Sequence, residues 1–324
     1  MKLLVLGGTL FLGRHVVEAA LAREHEVTLF TRGLTNPGLF PEAEHVRGDR
    51  TKDLSGLQGR RFDAVVDTSG YVPHVVRASA EALSAASDHY AFVSSISVYR
   101  DYARPVHEES PLATLDGQPA DELLPDRGNY GALKALCERE AMQAVAGRAL
   151  AVRAGLVVGP HDPTGRFTYW PHRVARGGEV LAPGPPGRPV QLVDVRDLAE
   201  WVVHACEQRL TGPFNATSEP YALGEIVAAC LRVTGAEARV TWVDEVFLLE
   251  RGVGQWIELP LWIAAQPGAE RFHEADTTKA HAAGLEHRPL EETVRGALEQ
   301  AEPVEGVGLA PERERALLAA WHGR

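Results

Sequence analysis

Along its first half the chain alternates short apolar runs with longer segments in which apolar residues recur at helical spacing. Lys2-Leu3-Leu4-Val5-Leu6 is a short run, apolar from Leu3, that stops at Gly7-Gly8-Thr9, and the pattern resumes as Leu10-Phe11-Leu12-Gly13-Arg14-His15-Val16-Val17. That reads as strand, tight turn and helix. Residues 25–32, 45–49 and 63–71 read as the next three strands. A fifth run at 90–93 ends in the hydroxyls of Ser94, Ser95 and Ser97, and 149–153 reads as a sixth strand. Residues 75–86 and 128–145 carry helical patterns. Strands alternating with helices predict an α/β protein with a doubly wound parallel sheet. Residues 100–127, rich in Pro, Asp and Glu, form a connection long enough to be functional. A lid over a substrate is the expectation there.

Composition narrows the class. A formal net charge of −11 leaves no basic footprint for nucleic acid, which makes a nucleic-acid partner unexpected. No apolar stretch approaches the ~20 residues of a membrane span, and the 1–6 run is too short for the apolar core of a signal peptide. Cys137, Cys206 and Cys230 are odd in number, far apart and without a Cys-x-x-Cys pair. That spacing gives no metal site and fits a reducing cytoplasm.

The chemistry starts from two spacings. A strand, a glycine turn and a helix put a pyrophosphate on helix N-terminal amides; a glycine turn that only packs helix on strand is the alternative. Tyr130 and Lys134 stand four apart on an expected helix and share a face. An ammonium beside a phenol favours the phenolate, which suits proton transfer near neutral pH. Upstream, Ser94 and Ser95 end a strand at the carboxyl edge, where parallel sheets bind ligands. The alternative for these serines is a polar strand end capping its own turn.

Together these residues resemble an extended short-chain dehydrogenase/reductase, the NAD(P)-dependent epimerase/dehydratase-like group, over nearly the whole chain. The family turn Thr-Gly-x-x-Gly-x-x-Gly maps onto Leu6-Gly7-Gly8-Thr9-Leu10-Phe11-Leu12-Gly13, with Leu10 in place of the middle glycine. A Gly-Gly-Thr-x-Phe-x-Gly turn also occurs in atypical relatives, among them reductases of unassigned substrate and plastid stem-loop RNA-binding proteins. The resemblance implies a Rossmann-type fold. Residues 1–160, with return segments near 190–217, would form the NAD(P)-binding domain, and 161–324 mainly a smaller substrate lobe. It implies Ser95, Tyr130 and Lys134 as catalytic residues. It implies cofactor contacts from residues 7–13, Asp49, Thr68, Ser69, Gly70, Ser94, Tyr130, Lys134, Gly155 and Leu156.

The coenzyme is read from an absence. No carboxylate stands between Glu26 and Glu42, and Arg32 follows the second strand. A guanidinium suits a 2′-phosphate, so NADP(H) is expected over NAD(H). A solvated surface arginine is the alternative.

Substrate candidates are Tyr71, Ser97, Trp170 and Arg196, with Arg166, Tyr169 and Arg173 on one expected helix after Pro163. Substrate and solvent are the two readings for that helix face, and core packing is the alternative for most tryptophans. Relatives acting on nucleotide sugars usually carry an asparagine where Leu156 stands and an arginine where Val190 stands. Losing those donors weakens a diphosphate site. The expectation is therefore an NADP(H)-dependent carbonyl reductase or alcohol dehydrogenase acting on a small molecule. The alternatives are a nucleotide-sugar epimerase/dehydratase and an RNA-binding relative. A homodimer or a monomer is expected.

Overall fold

A computed structural model describes residues 1–124 and 128–324. The chain divides into two compact units. The first comprises Met1–Leu156, Val195–Thr217 and Ala275–Glu286, and the second Val157–Asp194, Ser218–Glu274 and His287–Arg324.

The first unit is built on β1 (Lys2–Leu6), α1 (Phe11–Ala22), β2 (Glu26–Thr31), β3 (Glu44–Arg47), β4 (Phe62–Asp67), α2 (Pro73–Ser84), β5 (Ser87–Ser95), α3 (Tyr130–Ala144) and β6 (Ala149–Ala154). A seventh strand, Gly212–Ala216, pairs with β6. The sheet order is Gly212–Ala216, β6, β5, β4, β1, β2, β3, and every pairing is parallel. Central strands of such a sheet are covered on both faces, which is why β1 reads as a continuous apolar run rather than an alternating one. Leu3 to Leu6 are all fully buried. Successive strands leave β1 first toward β2 and β3, then on its other side toward β4. That reversal opens the crevice in which doubly wound folds hold ligands, and the Gly7-Gly8-Thr9 turn lies at its mouth.

α1 buries Leu12, Gly13, Val16, Val17 and Ala20. It packs against the helix Val195–Glu207, while α2 packs on α3. Leu4, Leu6, Val65, Tyr90, Phe92, Cys137 and Ala141 share one apolar cluster under the sheet.

The expected lid is fastened instead. Arg100 N–H donates to Pro111 O (2.9 Å), Ala113 N–H to Val98 O (2.7 Å), and the Tyr102 hydroxyl to Ile96 O (2.7 Å). Backbone pairing of this kind holds residues 100–113 to the turn after β5. Residues 125–127 of the same connection lie outside the described residues.

In the second unit, strands Gly178–Pro183 and Ala238–Val243 pair in parallel. Leu181, Val243, Phe247, Leu259, Trp262, Leu317 and Leu318 form its core. Among the described residues no helix is long and apolar enough to cross a membrane.

Candidate active site at the carboxyl edge of the sheet

The glycine turn admits no side chain at its two critical positions. Gly7 has φ +112°, and a Cβ there would lie 2.5 Å from Thr68 Oγ1; a Cβ on Gly13 would lie 2.8 Å from Gly8 N. Leu10 caps α1 in an extended conformation (φ −139°, ψ 136°) open to any residue, with its side chain 55% exposed. The missing middle glycine therefore strains nothing at that residue. No side chain caps the start of α1 and its first turn holds no acidic residue. Free amides behind a cradle that a Cβ would fill fit the pyrophosphate of a dinucleotide. Asn36 Nδ2 donates to Thr9 O (2.9 Å), tying the loop after β2 to this turn.

Ser95 ends β5. Its Oγ accepts from Ser97 N–H (3.1 Å) and donates to Ser97 Oγ (3.1 Å), so the serine does cap the turn Ile96–Val98. A Cβ on Gly131 would lie 2.1 Å from Ser97 O. Only glycine lets the first turn of α3, which Tyr130 begins, settle on the turn that Ser95 caps. Asn129, fully buried, fixes the same helix start. Its Nδ2 donates to Pro119 O (3.1 Å) and Glu122 O (2.9 Å), and its Oδ1 accepts from Leu124 N–H (3.0 Å).

One turn later, Lys134 is 4% exposed. Its Nζ donates to Gly70 O (2.8 Å) and Val93 O (2.6 Å) and lies 4.3 Å from the Phe92 ring centre and 5.3 Å from that of Tyr71. Burial pulls the ammonium's pKa down to about 8. It stays mostly charged at neutral pH, with carbonyl oxygens as hydrogen-bond acceptors. Beneath Gly70 lies a group the sequence did not reveal. Arg50 donates to both oxygens of the buried Asp67 (2.5 and 2.7 Å) and to Ser69 Oγ (3.2 Å), and the Tyr90 hydroxyl donates to Asp67 (2.9 Å). Thr68 and Ser69 hydroxyls both donate to Leu6 O. This network locks the Thr68-Ser69-Gly70 turn that carries the acceptor for Lys134.

Two buried hydroxyls at this edge, Ser94 Oγ and Thr217 Oγ1, have no hydrogen-bond partner among the described residues. Gly155 is pressed against Thr217, where a Cβ would lie 2.2 Å from Oγ1. Unmet buried hydroxyls are costly unless a ligand satisfies them. Asp49 accepts from Thr51 N–H (3.0 Å) and Thr51 Oγ1 (2.7 Å), bonds that hold its carboxyl below the ordinary range, with Arg32 in its field. Arg32 itself is exposed just beyond β2.

The model of the NAD dependent epimerase/dehydratase family matches residues 3–224, more than half of the chain. The chain belongs to that family. Its fold is shared by solved structures of low identity. UDP-glucose 4-epimerase of Thermus thermophilus in complex with NAD has a TM-score of 0.65 at 21% identity, over 93% of this chain and 98% of that one. UDP-glucuronic acid 4-epimerase of Bacillus cereus in complex with NAD has 0.64 at 17%, over 91% and 97%. WbmG of Bordetella bronchiseptica in complex with NAD and UDP has 0.68 at 18%, over 92% and 94%. A curated relative, the chloroplast stem-loop binding protein of 41 kDa b of Arabidopsis thaliana, is 27% identical over 256 residues. The alignment takes in 72% of this chain and 63% of that protein, so the chain spans less than two thirds of that relative's length.

Several substrate candidates of this family member sit elsewhere than expected. The helix after Pro163 begins only at Tyr169, so Arg166 precedes it. Arg166 lies 4.9 Å from the Trp256 ring centre and donates to Thr164 Oγ1. Arg173 is not presented to a ligand. It is buried and its Nε donates to both oxygens of Glu314 (3.0 and 2.7 Å), with Gly177 O and Glu179 O completing its shell. Trp170 is fully buried and donates to Pro260 O (3.1 Å), a core role. Tyr169 is buried against Gly308, and burial raises its pKa. All four belong to the second unit. Tyr71, Ser97 and Arg196 belong to the first, where Tyr71 is 45% exposed.

Proposed function

We propose that this protein is an NAD(P)-dependent enzyme that oxidises and reduces a carbinol carbon of a nucleotide sugar, as an epimerase or dehydratase. The observation that carries the reading is the seat of Tyr130: Gly131 lets α3 settle on the Ser95-capped turn, one helical turn from the buried Lys134. The family membership and the nucleotide-sugar epimerases among the solved relatives support this class over the carbonyl reductase expected from Leu156 and Val190. Those two positions keep a reductase as the second reading.

In this reading the nicotinamide, when bound, supplies the hydride exchange. Gly7, Gly8 and Gly13 leave room for the pyrophosphate, and the α1 amides receive it. Ser95 and Ser97 hold the substrate oxygen by hydrogen bonds. Tyr130 takes the proton from that oxygen on oxidation and returns it on reduction. Lys134 keeps a positive charge near the phenol and the ribose, and the turn supported by Arg50 keeps Lys134 in place. NADP(H) is preferred over NAD(H), through Arg32.

The test is a panel of UDP-, GDP- and dTDP-sugars, and of aldehydes and ketones with NADPH, assayed with the full chain. Conversion of a nucleotide sugar without net coenzyme turnover supports the epimerase reading, and stoichiometric NADPH oxidation by a simple carbonyl favours the reductase. On the identified substrate, Tyr130→Phe loses turnover with coenzyme affinity nearly unchanged. Ser95→Ala slows turnover by about 10²–10³-fold, as for loss of one donor to a developing oxyanion. Unimpaired turnover in Tyr130→Phe would remove the mechanism. The stem-loop-binding relative adds one control, binding of a hairpin RNA, which the −11 net charge disfavours.

A further inference from the structure

β2 ends at Thr31 and β3 at Arg47, and these residues are register partners. Beyond β2 the chain passes through Arg32 to Gly33. Gly33 is left-handed (φ +69°), and a Cβ there would lie 3.1 Å from Arg47 Nε and 3.4 Å from Cζ of its guanidinium. The Arg47 side chain is thus laid across the loop that follows β2, next to Arg32. Arg47 is exposed and makes no hydrogen bond or ion pair with the described residues.

Charge decides what this arrangement suits. The anion in the field of Arg32 is Asp49, whose carboxylate is kept ionised by the amide and hydroxyl of Thr51. Arg32 shares this end of the sheet with that carboxylate, which also lies 3.9 Å from Lys52 Nζ. Arg47 adds an uncompensated guanidinium at the same strand ends. In a doubly wound fold the adenosine ribose of a dinucleotide lies beyond the end of the second strand, where an arginine accommodates a 2′-phosphate. A planar fork of donors suits a phosphate dianion.

We propose that Arg47 is the second arginine of a 2′-phosphate site and that it sets the coenzyme preference together with Arg32. The inference rests on the NADP(H) reading of Arg32. It places the specificity contact on β3 rather than only on the loop after β2. Gly33 belongs to the device, since a side chain there would push Arg47 off the loop.

The experiment is calorimetric titration of the full chain with 2′,5′-ADP and with 5′-AMP, which differ only in the 2′-phosphate and need no substrate. The unmodified protein binds 2′,5′-ADP at least about tenfold more tightly. Arg47→Ala lowers that ratio by about tenfold, the scale of one charge-assisted contact, and leaves 5′-AMP affinity unchanged. Arg47→Lys falls between, because it keeps the charge and loses the fork. Arg47 is exposed, so the variants fold, and melting curves check this. Equal affinities in the unmodified protein overturn the NADP(H) reading and the proposal with it. A preference that survives Arg47→Ala and disappears in Arg32→Ala overturns the role of Arg47 alone.

Discussion

Two buried cations in this protein have opposite surroundings. In the second unit, Arg173 meets the carboxylate of Glu314 at 2.7 Å, and two carbonyls complete its shell. In the first unit, Lys134 donates to two backbone carbonyls and faces two aromatic rings, with no carboxylate of the described residues bonded to it. Arg153 follows the first pattern, bound to the buried Glu138 at 2.8–3.2 Å and to the Tyr99 hydroxyl, so its pKa is raised. A buried cation with its own carboxylate is electrically complete and serves the fold. A buried cation held by carbonyls alone carries a desolvation cost that an anionic ligand can relieve. The contrast marks Arg173 as structural and supports the role proposed for Lys134.

The largest test of that contrast is removal of each cation. Arg173→Met strands the Glu314 carboxylate in the core and is expected to cost about 3–5 kcal/mol of stability, read by chemical denaturation. A loss under about 1 kcal/mol would mean that Glu314 finds water and that the pair is not structural. Lys134→Met strands no charge and is expected to destabilise much less at neutral pH.

Its effect has a pH signature. The Lys134 pKa is about 8 in the folded protein against 10.5 for the ordinary side chain. Below pH 8 both states hold the proton and the burial penalty is fully expressed. Between about pH 8 and 10.5 the unfolded chain binds more protons, so the unmodified protein gains stability with rising pH. The gain relative to Lys134→Met is about 3 kcal/mol at most, from about 1.4 kcal/mol per pKa unit. A flat difference from about pH 7 to 10.5 would show that Lys134 is not held as a desolvated ammonium.

A smaller effect links the same group to coenzyme. Dinucleotide phosphates favour the ammonium, so binding at about pH 8 is expected to take up a fraction of a proton, and binding at about pH 6.5 almost none. Calorimetry in buffers of different ionisation enthalpy measures this, and Lys134→Met should abolish it. The smallest expected change is at the glycine turn. Leu10 is exposed and unstrained, so Leu10→Gly should leave coenzyme affinity within about twofold, while Gly13→Val abolishes binding or folding through its clash with Gly8. Loss of binding in Leu10→Gly would make Leu10 a required contact.

Much of this was legible along the chain. The strand and glycine-turn pattern predicted the parallel sheet, because a strand covered on both faces needs a nearly continuous apolar run. The extended short-chain dehydrogenase/reductase resemblance led to the epimerase/dehydratase family. The leaning toward a carbonyl reductase, carried by Leu156 and Val190, stays as the second reading, while membership of the epimerase/dehydratase family agrees better with the alternative. Residues such as Arg173 were misjudged because its partner Glu314 lies 141 positions away. A charge at helical spacing reads the same whether it meets solvent, substrate or a distant carboxylate. The Arg50–Asp67–Tyr90 network was missed for a similar reason, since it joins the loop after β3 to β4 and β5 through side chains that no periodicity records.

The sequence by itself determined the local geometry. Gly7, Gly8 and Gly13 set a turn that only glycine can make, and Tyr130 and Lys134 were put on one helix face by their spacing. Only the tertiary structure decided what surrounds those side chains. It settled that Ser97 O forbids a Cβ at residue 131, that Lys134 is desolvated between Gly70 and Val93, and that Arg47 lies over Gly33 unpaired. Backbone conformation is a property of neighbours in sequence. Burial and charge balance are sums over neighbours in space, and they fix the pKa of Lys134 and the free charge of Arg47.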